Sequence, residues 1–115
     1  MKKILLLNAE TKIVGDLQAQ FARRCEILAT DSYQTALQLI KTMPVELLLV
    51  QLPNDNNSHK HSELKTLLKK LKRRKYKTLT KILLAAEGGE CQVDYFLKLG
   101  ISAVVVDVGE VGRWM

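Results

Sequence analysis

Five short apolar runs recur along this chain, and a longer segment with helical periodicity separates each from the next. The runs are nearly continuous rather than alternating, which is typical of strands buried on both faces of a parallel sheet. They occupy residues 4–7, 26–29, 47–50, 82–85 and 103–106. Their regular recurrence, more than any single run, predicts a sheet of five strands.

The intervening segments carry the signals of helices. Thr11, Ser32 and Ser62 are suited to cap the first three helices, because a hydroxyl can accept a hydrogen bond from a free N–H in the first turn. A fourth helix is expected to begin near Glu90 and to stop at Gly100. The third helix carries a leucine stripe that should face the sheet, formed by Leu64, Leu67, Leu68 and Leu71. Strands alternating with helices predict an α/β domain with right-handed crossovers and helices on both faces.

The alternation fails near the carboxyl terminus. Residues 108–115 are too short and too rich in glycine to form a full helix. We therefore expect one domain over residues 1–115, with a short irregular tail and a fifth helix that is missing or truncated. Such a sheet should expose apolar surface, which is commonly covered by a partner. Either the natural chain continues past Met115 into an output domain, or another subunit covers that face.

Composition narrows the class of protein. The chain has 115 residues, of which 47% are hydrophobic and 26% charged, as in an ordinary globular domain. The N-terminal apolar run ends at Asn8, too early for a signal peptide or a membrane span, so we expect a cytoplasmic protein. Cys25, Cys91, His59 and His61 are not spaced as metal ligands, so we expect no metal site and no cofactor.

The net charge of +6 arises locally. Residues 60–81 hold ten of the eighteen Lys and Arg residues but only one acid, Glu63. This basic segment is either a solvated face or a surface for an anionic partner such as nucleic acid, an acidic protein or an anionic membrane surface. The candidate contacts with such a partner are Lys65, Lys69, Lys70, Lys72, Arg73, Arg74, Lys75 and Lys77.

Four segments, residues 3–10, 45–53, 82–87 and 99–108, together resemble the receiver domain of bacterial response regulators. The resemblance covers nearly the whole chain. It implies a flavodoxin-like, three-layer α/β/α sandwich with a parallel sheet of strand order 2-1-3-4-5. It also implies a role in two-component signal transduction, although a fold does not by itself carry a function.

The positions that carry receiver chemistry have all changed. The resemblance places the family's acidic pair on Asn8 and Ala9, and the phospho-accepting Asp on Gln51. The switch Thr or Ser falls on Ala85, and the phosphate-pairing Lys on Asp107. A carboxamide is a poor nucleophile, and Mg²⁺ favours carboxylate ligands. We therefore expect a degenerate receiver, or pseudo-receiver, that is not phosphorylated at this site.

Two functional hypotheses remain. The first is a phosphorylation-independent module of a signalling or transcriptional regulator that binds a protein partner, or a second copy of itself. Its expected surface combines the fourth helix, the fifth strand and the carboxyl terminus. The alternative is a nucleic-acid-binding accessory domain that uses the basic segment. An enzyme is not expected, because the strand ends offer no Gly-rich phosphate loop and no paired nucleophile and base. The candidate interface residues, which could instead pack on the sheet, are Tyr95, Val104, Val111, Trp114 and Met115.

Overall fold

A computed structural model describes residues 2–21, 23–51, 58–72, 79–84 and 97–105. Strands and helices alternate as predicted over most of this length. In the described part of the chain, no helix is both long enough and apolar enough to cross a membrane. The elements are β1 (Lys2–Leu7), α1 (Thr11–Phe21), β2 (Cys25–Thr30), α2 (Tyr33–Thr42), β3 (Val45–Gln51), α3 (Ser58–Leu71), β4 (Thr80–Leu84) and β5 (Ala103–Val105).

The five strands form a single parallel sheet in the order β2-β1-β3-β4-β5. This order confirms the flavodoxin-like arrangement. In the register, Leu7 of β1 pairs with Val50 of β3, and Gln51 pairs with Leu84 of β4. The carboxyl ends of β1, β3 and β4 therefore meet at one edge of the sheet, where ligands of open α/β sheets usually bind.

Alternate strand residues pack into opposite layers, because successive side chains of a strand point to opposite faces. One face, which includes Leu48 and Val50, packs in one cluster with buried residues of α2 and α3. The other, which includes Leu49, packs with Leu17 of α1. The predicted leucine stripe of α3 is confirmed as core, since all four of its side chains are buried, Leu64, Leu67, Leu68 and Leu71.

The sheet face that packs against α1 is buried as far as β4 and β5, further than the sequence suggested. Ile82, Leu84 and Val105 lie on this face with exposed fractions of 0%, 5% and 4%. The expected exposure of apolar sheet surface is therefore not found in the described residues. The tail over residues 108–115, with the place of any fifth helix, lies outside them.

Helix starts were predicted with mixed success. Ser32 caps α2 as predicted, with its Oγ 3.2 Å from the N–H of Thr35. The predicted cap of α1, Thr11, is wrong by one residue. The Val14 N–H bonds the Glu10 carbonyl at 3.0 Å, which makes Glu10 the cap. Ser62 is also wrong as a cap. The helix begins at Ser58, since no Gly or Pro between them ends it, and Ser62 lies inside α3.

Gly100 ends the fourth helical segment as predicted. Residues 97–98 are helical, and the Gly100 N–H bonds the Leu97 carbonyl at 3.1 Å. Gly100 has a φ of +96°, which L side chains rarely adopt, and a Cβ there would lie 3.2 Å from Cγ of Lys72. The predicted start near Glu90 lies outside the described residues.

Candidate functional site

The carboxyl ends of β1 and β3 bring Asn8 and Gln51 together. Asn8 follows β1 in the left-handed backbone region, with a φ of +58°, which Asn tolerates better than most residues. Its N–H bonds the Thr30 carbonyl at 2.9 Å, and its Nδ2 lies 3.4 Å from the Gln51 carbonyl oxygen. Asn8 thus links the ends of β1, β2 and β3.

The Gln51 side chain makes a reciprocal pair with Glu10, from the loop after β1. Gln51 Oε1 accepts a hydrogen bond from the Glu10 N–H at 2.7 Å, and Gln51 Nε2 donates to Glu10 Oε1 at 3.2 Å. Only a side chain with both a donor and an acceptor can make these two bonds at once, which a carboxylate cannot do. The pair therefore depends on the amide at position 51, and it ties the start of α1 to the end of β3.

The pair matters chemically because it occupies the position where the receiver resemblance places the phospho-accepting Asp. A neutral amide held by two hydrogen bonds is a poor nucleophile. Asn8 is also neutral, and Ala9 is half-buried against the apolar cluster beneath α1. Of these four residues, only Glu10 carries a carboxylate, whereas hard divalent cations favour several oxygen ligands with negative charge.

The structure brings three of the five predicted receiver-site positions to one edge: Asn8, Ala9 and Gln51. Ala85 and Asp107 lie outside the described residues. The sequence analysis missed Glu10 as the partner of Gln51. A Gln at a strand end opposite a loop Glu was the available signal, because one extra methylene relative to Asn lets the amide reach across.

No metal-binding cluster is found within the described ranges, where no three His, Cys, Asp or Glu side chains come together. Cys25 is a buried free thiol. The side chains of His59 and His61, and the whole of Cys91, are not among the described parts of the chain.

The basic face of α3 is only partly described. Lys69, Lys70 and Lys72 are exposed, and Lys65 is half-buried. Lys72 does not point freely into solvent, since its Nζ donates to the Lys98 carbonyl at 3.0 Å. The remaining predicted patch residues lie outside the described part: Arg73, Arg74, Lys75 and Lys77.

Lys81, counted in the basic segment, is buried rather than part of a surface patch. Only 7% of it is exposed, and its Nζ donates to the Leu71 carbonyl at the carboxyl end of α3, at 3.1 Å. Burial, and secondarily the charge of Lys72, lower the pKa of its ammonium group. The helix end explains the correction, because unpaired carbonyls there attract a cation.

The predicted interface face is described at two points. Val104 is half-buried in β5. Leu97, just before the Gly100 turn, is 44% exposed, the one large apolar side chain in the described part of the chain with such exposure. The other predicted interface residues lie outside the described ranges: Tyr95, Val111, Trp114 and Met115.

The parallel sheet of order 2-1-3-4-5, layered between helices, is the fold of response-regulator receiver domains. The receiver domain of Francisella response regulator 1452 is similar, with a TM-score of 0.73 and 19% identity over 96% of this chain and 90% of that one. A Pseudomonas putida response regulator receiver protein also has a TM-score of 0.73, with 14% identity over 97% and 93% of the two chains.

A third similar structure is the signal receiver domain of a putative Luxo repressor protein from Vibrio parahaemolyticus. Its TM-score is 0.74, with 14% identity over 97% of this chain and 85% of that one. The chain matches no family model and no curated protein sequence. At these identities the likeness shows the fold, and function must be argued from the site.

Proposed function

We propose that this chain is a receiver-like signalling module that works without phosphorylation, as the regulatory domain of a signalling or transcriptional regulator. The fold supplies the general class. The observation that carries the proposal is the Gln51–Glu10 pair, which replaces a nucleophilic carboxylate with a neutral amide whose donor and acceptor are already bonded.

Loss of the phosphorylation site leaves the surfaces of the fold as the means of action. An acyl phosphate needs a carboxylate nucleophile and, in this class of site, a divalent cation. Asn8, Ala9 and Gln51 provide neither the nucleophile nor the negative charge. The module therefore acts by binding a partner, and its state is set by that binding rather than by a covalent switch.

The proposed contact surface is the one expected from the sequence, made by the fourth helix, the fifth strand and the carboxyl terminus, of which the structure describes residues 97–98 and β5. Exposed Leu97 and half-buried Val104 support an apolar contact there. Covering an exposed large apolar side chain with a partner lowers the free energy of the complex. A protein partner or a second copy of the chain would fit this surface. Light scattering at two protein concentrations, with Leu97→Ser as the variant, tests the second-copy form of the contact.

The phosphorylation claim is tested by intact-mass spectrometry after incubation with an acyl phosphate donor and Mg²⁺. The wild-type chain is expected to stay unmodified. A variant carrying Asn8→Asp, Ala9→Asp and Gln51→Asp serves as the matched control, because it restores the carboxylates that the resemblance calls for. Addition of one phosphoryl group to the wild-type chain, lost in Gln51→Ala, would contradict the proposal.

A second candidate function, nucleic-acid binding, is favoured by a different observation. Lys69 and Lys70 are exposed next to each other on α3, at the start of the most basic run of the chain. Contacts with phosphates release counterions, so the affinity for a short duplex DNA should fall steeply and linearly on a log–log plot against salt. Lys69→Gln with Lys70→Gln should make that slope shallower. Binding that ignores salt, or no binding at low salt, rejects this candidate.

A further inference from the structure

The outer side of β2 has no part in the function proposed above. β2 lies at one edge of the sheet, and within the described ranges no other strand pairs with its outer side. An unpaired edge offers its main-chain groups to a second strand, and proteins commonly protect such an edge with Lys, Pro or a bulge. β2 has no Lys, no Pro and a continuous register with β1. Its only charged side chain, Glu26, already forms an ion pair with Lys3 at 3.4 Å.

The pairing with β1 indicates which main-chain groups of β2 point outwards. The Asn8 N–H bonds the Thr30 carbonyl at 2.9 Å, so the main-chain groups of Thr30 face β1. Because these groups alternate in direction along a strand, those of Ile27 and Ala29 point away from β1. Ala29 is exposed and Ile27 is half-buried, so an approaching strand can reach this part of the edge.

The two ends of β2 are flanked by opposite charges. Arg23 and Arg24 precede the strand, Asp31 follows it, and all three residues are exposed. Within the described ranges, none of these three side chains has an ion-pair partner. In an antiparallel arrangement, the start of one strand lies beside the end of the other. A second copy of this edge would therefore bring a basic end beside an acidic end twice, whereas a parallel arrangement would place like charges side by side.

We propose that the outer edge of β2 binds a second copy of this chain, strand to strand and antiparallel, so that one sheet continues across a twofold axis. With Ile27 of each copy opposite Ala29 of the other, both residues use their outward N–H and carbonyl groups. This register makes Arg23 and Asp31 of the second copy diagonal neighbours on one face, a spacing that a long side chain can span. A second copy fits this edge because the edge itself supplies both charges.

The association is tested by sedimentation velocity of the full chain at concentrations up to about 1 mM, which detects even weak binding. A reversible monomer–dimer equilibrium is expected, because one strand edge is a small interface. The equilibrium should persist in Leu97→Ser, which alters the separate face proposed above. A chain that is monomeric at every concentration would overturn the proposal, even if it bound an unrelated extended peptide. A dimer that is lost in Leu97→Ser would overturn it as well.

Ala29→Pro tests the main-chain contact. Proline removes the N–H of residue 29, which points away from β1, and leaves the hydrogen bonds between β1 and β2 in place. The dissociation constant of the dimer should rise about tenfold or more, because the bond is lost on both sides of the axis. Ala29→Ser is the matched control, since it keeps the N–H at the same exposed position, and it should change the constant by less than about twofold. Equal dissociation constants for the two variants would contradict the strand pairing.

Charge reversal tests the antiparallel orientation and leaves the residues of β2 unchanged. Asp31→Arg and Arg23→Asp should each weaken the dimer about three- to tenfold, because an exposed ion pair becomes a repulsion on both sides of the axis. The two substitutions together restore opposite charges and should return the dissociation constant to within about twofold of the wild type. Additive weakening in the double variant would overturn the arrangement. The phosphorylation test above does not depend on this contact, so the dimer and the proposed function can fail separately.

Discussion

Replacing Gln51 with Glu tests the pair at the sheet edge most sharply, because the side chain keeps its size and changes only its hydrogen-bonding groups. One oxygen can still accept the Glu10 N–H. The other takes the place of Nε2, which lies 3.2 Å from Glu10 Oε1 in the wild type. Gln51→Glu therefore replaces a hydrogen bond with a contact between two carboxylates.

The expected cost follows from these two changes. Loss of the hydrogen bond removes about 1 kcal/mol of net stability. Two like charges about 4 Å apart repel by about 1 kcal/mol at the dielectric constant of water, and by about 4 kcal/mol at the lower effective dielectric constant near a protein surface. Glu10 is exposed and free to turn away, so the lower value applies. We expect Gln51→Glu to lower the free energy of unfolding by about 1–2 kcal/mol.

Urea unfolding at low and high salt measures this value. Added salt should shrink the loss, because it screens the repulsion. Glu10→Gln alone should cost about 0.5 kcal/mol or less, since its carbonyl can still accept from Gln51 Nε2. Combining it with Gln51→Glu should recover about 1 kcal/mol, because the amide and the carboxylate are then exchanged. A Gln51→Glu variant as stable as the wild type, or additive effects of the two substitutions in the double variant, would refute the pairing.

Three further predictions concern the core and the buried polar groups. Leu68→Ala should lower the free energy of unfolding in urea by about 2–5 kcal/mol, because the Leu68 side chain is fully buried. Lys69→Ala, on the same turn, should lower it by less than about 1 kcal/mol. Equal losses in the two variants would contradict the packing of α3. The pKa of Lys81 is lowered in the folded state, so the unfolded state binds the proton more tightly, and the free energy of unfolding should rise as the pH rises from the folded pKa towards the ordinary 10.5. Lys81→Met should remove that rise. A pH profile that Lys81→Met leaves unchanged would argue against burial of the ammonium group. The pKa of Tyr33 is raised in the folded state, so its contribution to stability is present below pH 10 and is lost as the pH approaches about 12. Tyr33→Phe should lack this loss. A phenol that titrates at the ordinary value of 10 by ultraviolet absorbance would contradict the burial of the hydroxyl.

The sequence was most informative where burial imposes a pattern. The continuous apolar character of β3 predicted a central strand, and Leu47, Leu48, Leu49 and Val50 are all almost fully buried. The leucines of α3 likewise predicted which face of the helix meets the sheet. Strand order could not follow from these patterns alone, because any parallel arrangement buries such strands equally well. It came from the resemblance to receiver domains, and the sheet confirms it.

The sequence was less informative about groups whose partners are distant in the chain. Lys81 looked like part of a basic surface because it follows the basic run that ends at Lys77, but tertiary structure places its ammonium group at the carboxyl end of α3. Glu10 was missed, since its partner Gln51 lies 41 positions away. Ser62 was a suitable cap by residue type, yet the polar residues before it continue the helix. In each case a non-local contact or a neighbouring turn decided the outcome.

The central claim is that the sheet edge at Gln51 neither binds Mg²⁺ nor accepts a phosphoryl group. It is tested most directly by two-dimensional NMR of the wild-type chain, recorded with and without Mg²⁺ and an acyl phosphate donor. We predict that the backbone amides of Asn8 and Glu10 and the side-chain amide of Gln51 keep their positions. Saturable shifts confined to these groups on adding Mg²⁺, or a new set of signals when the donor is added, would contradict the account.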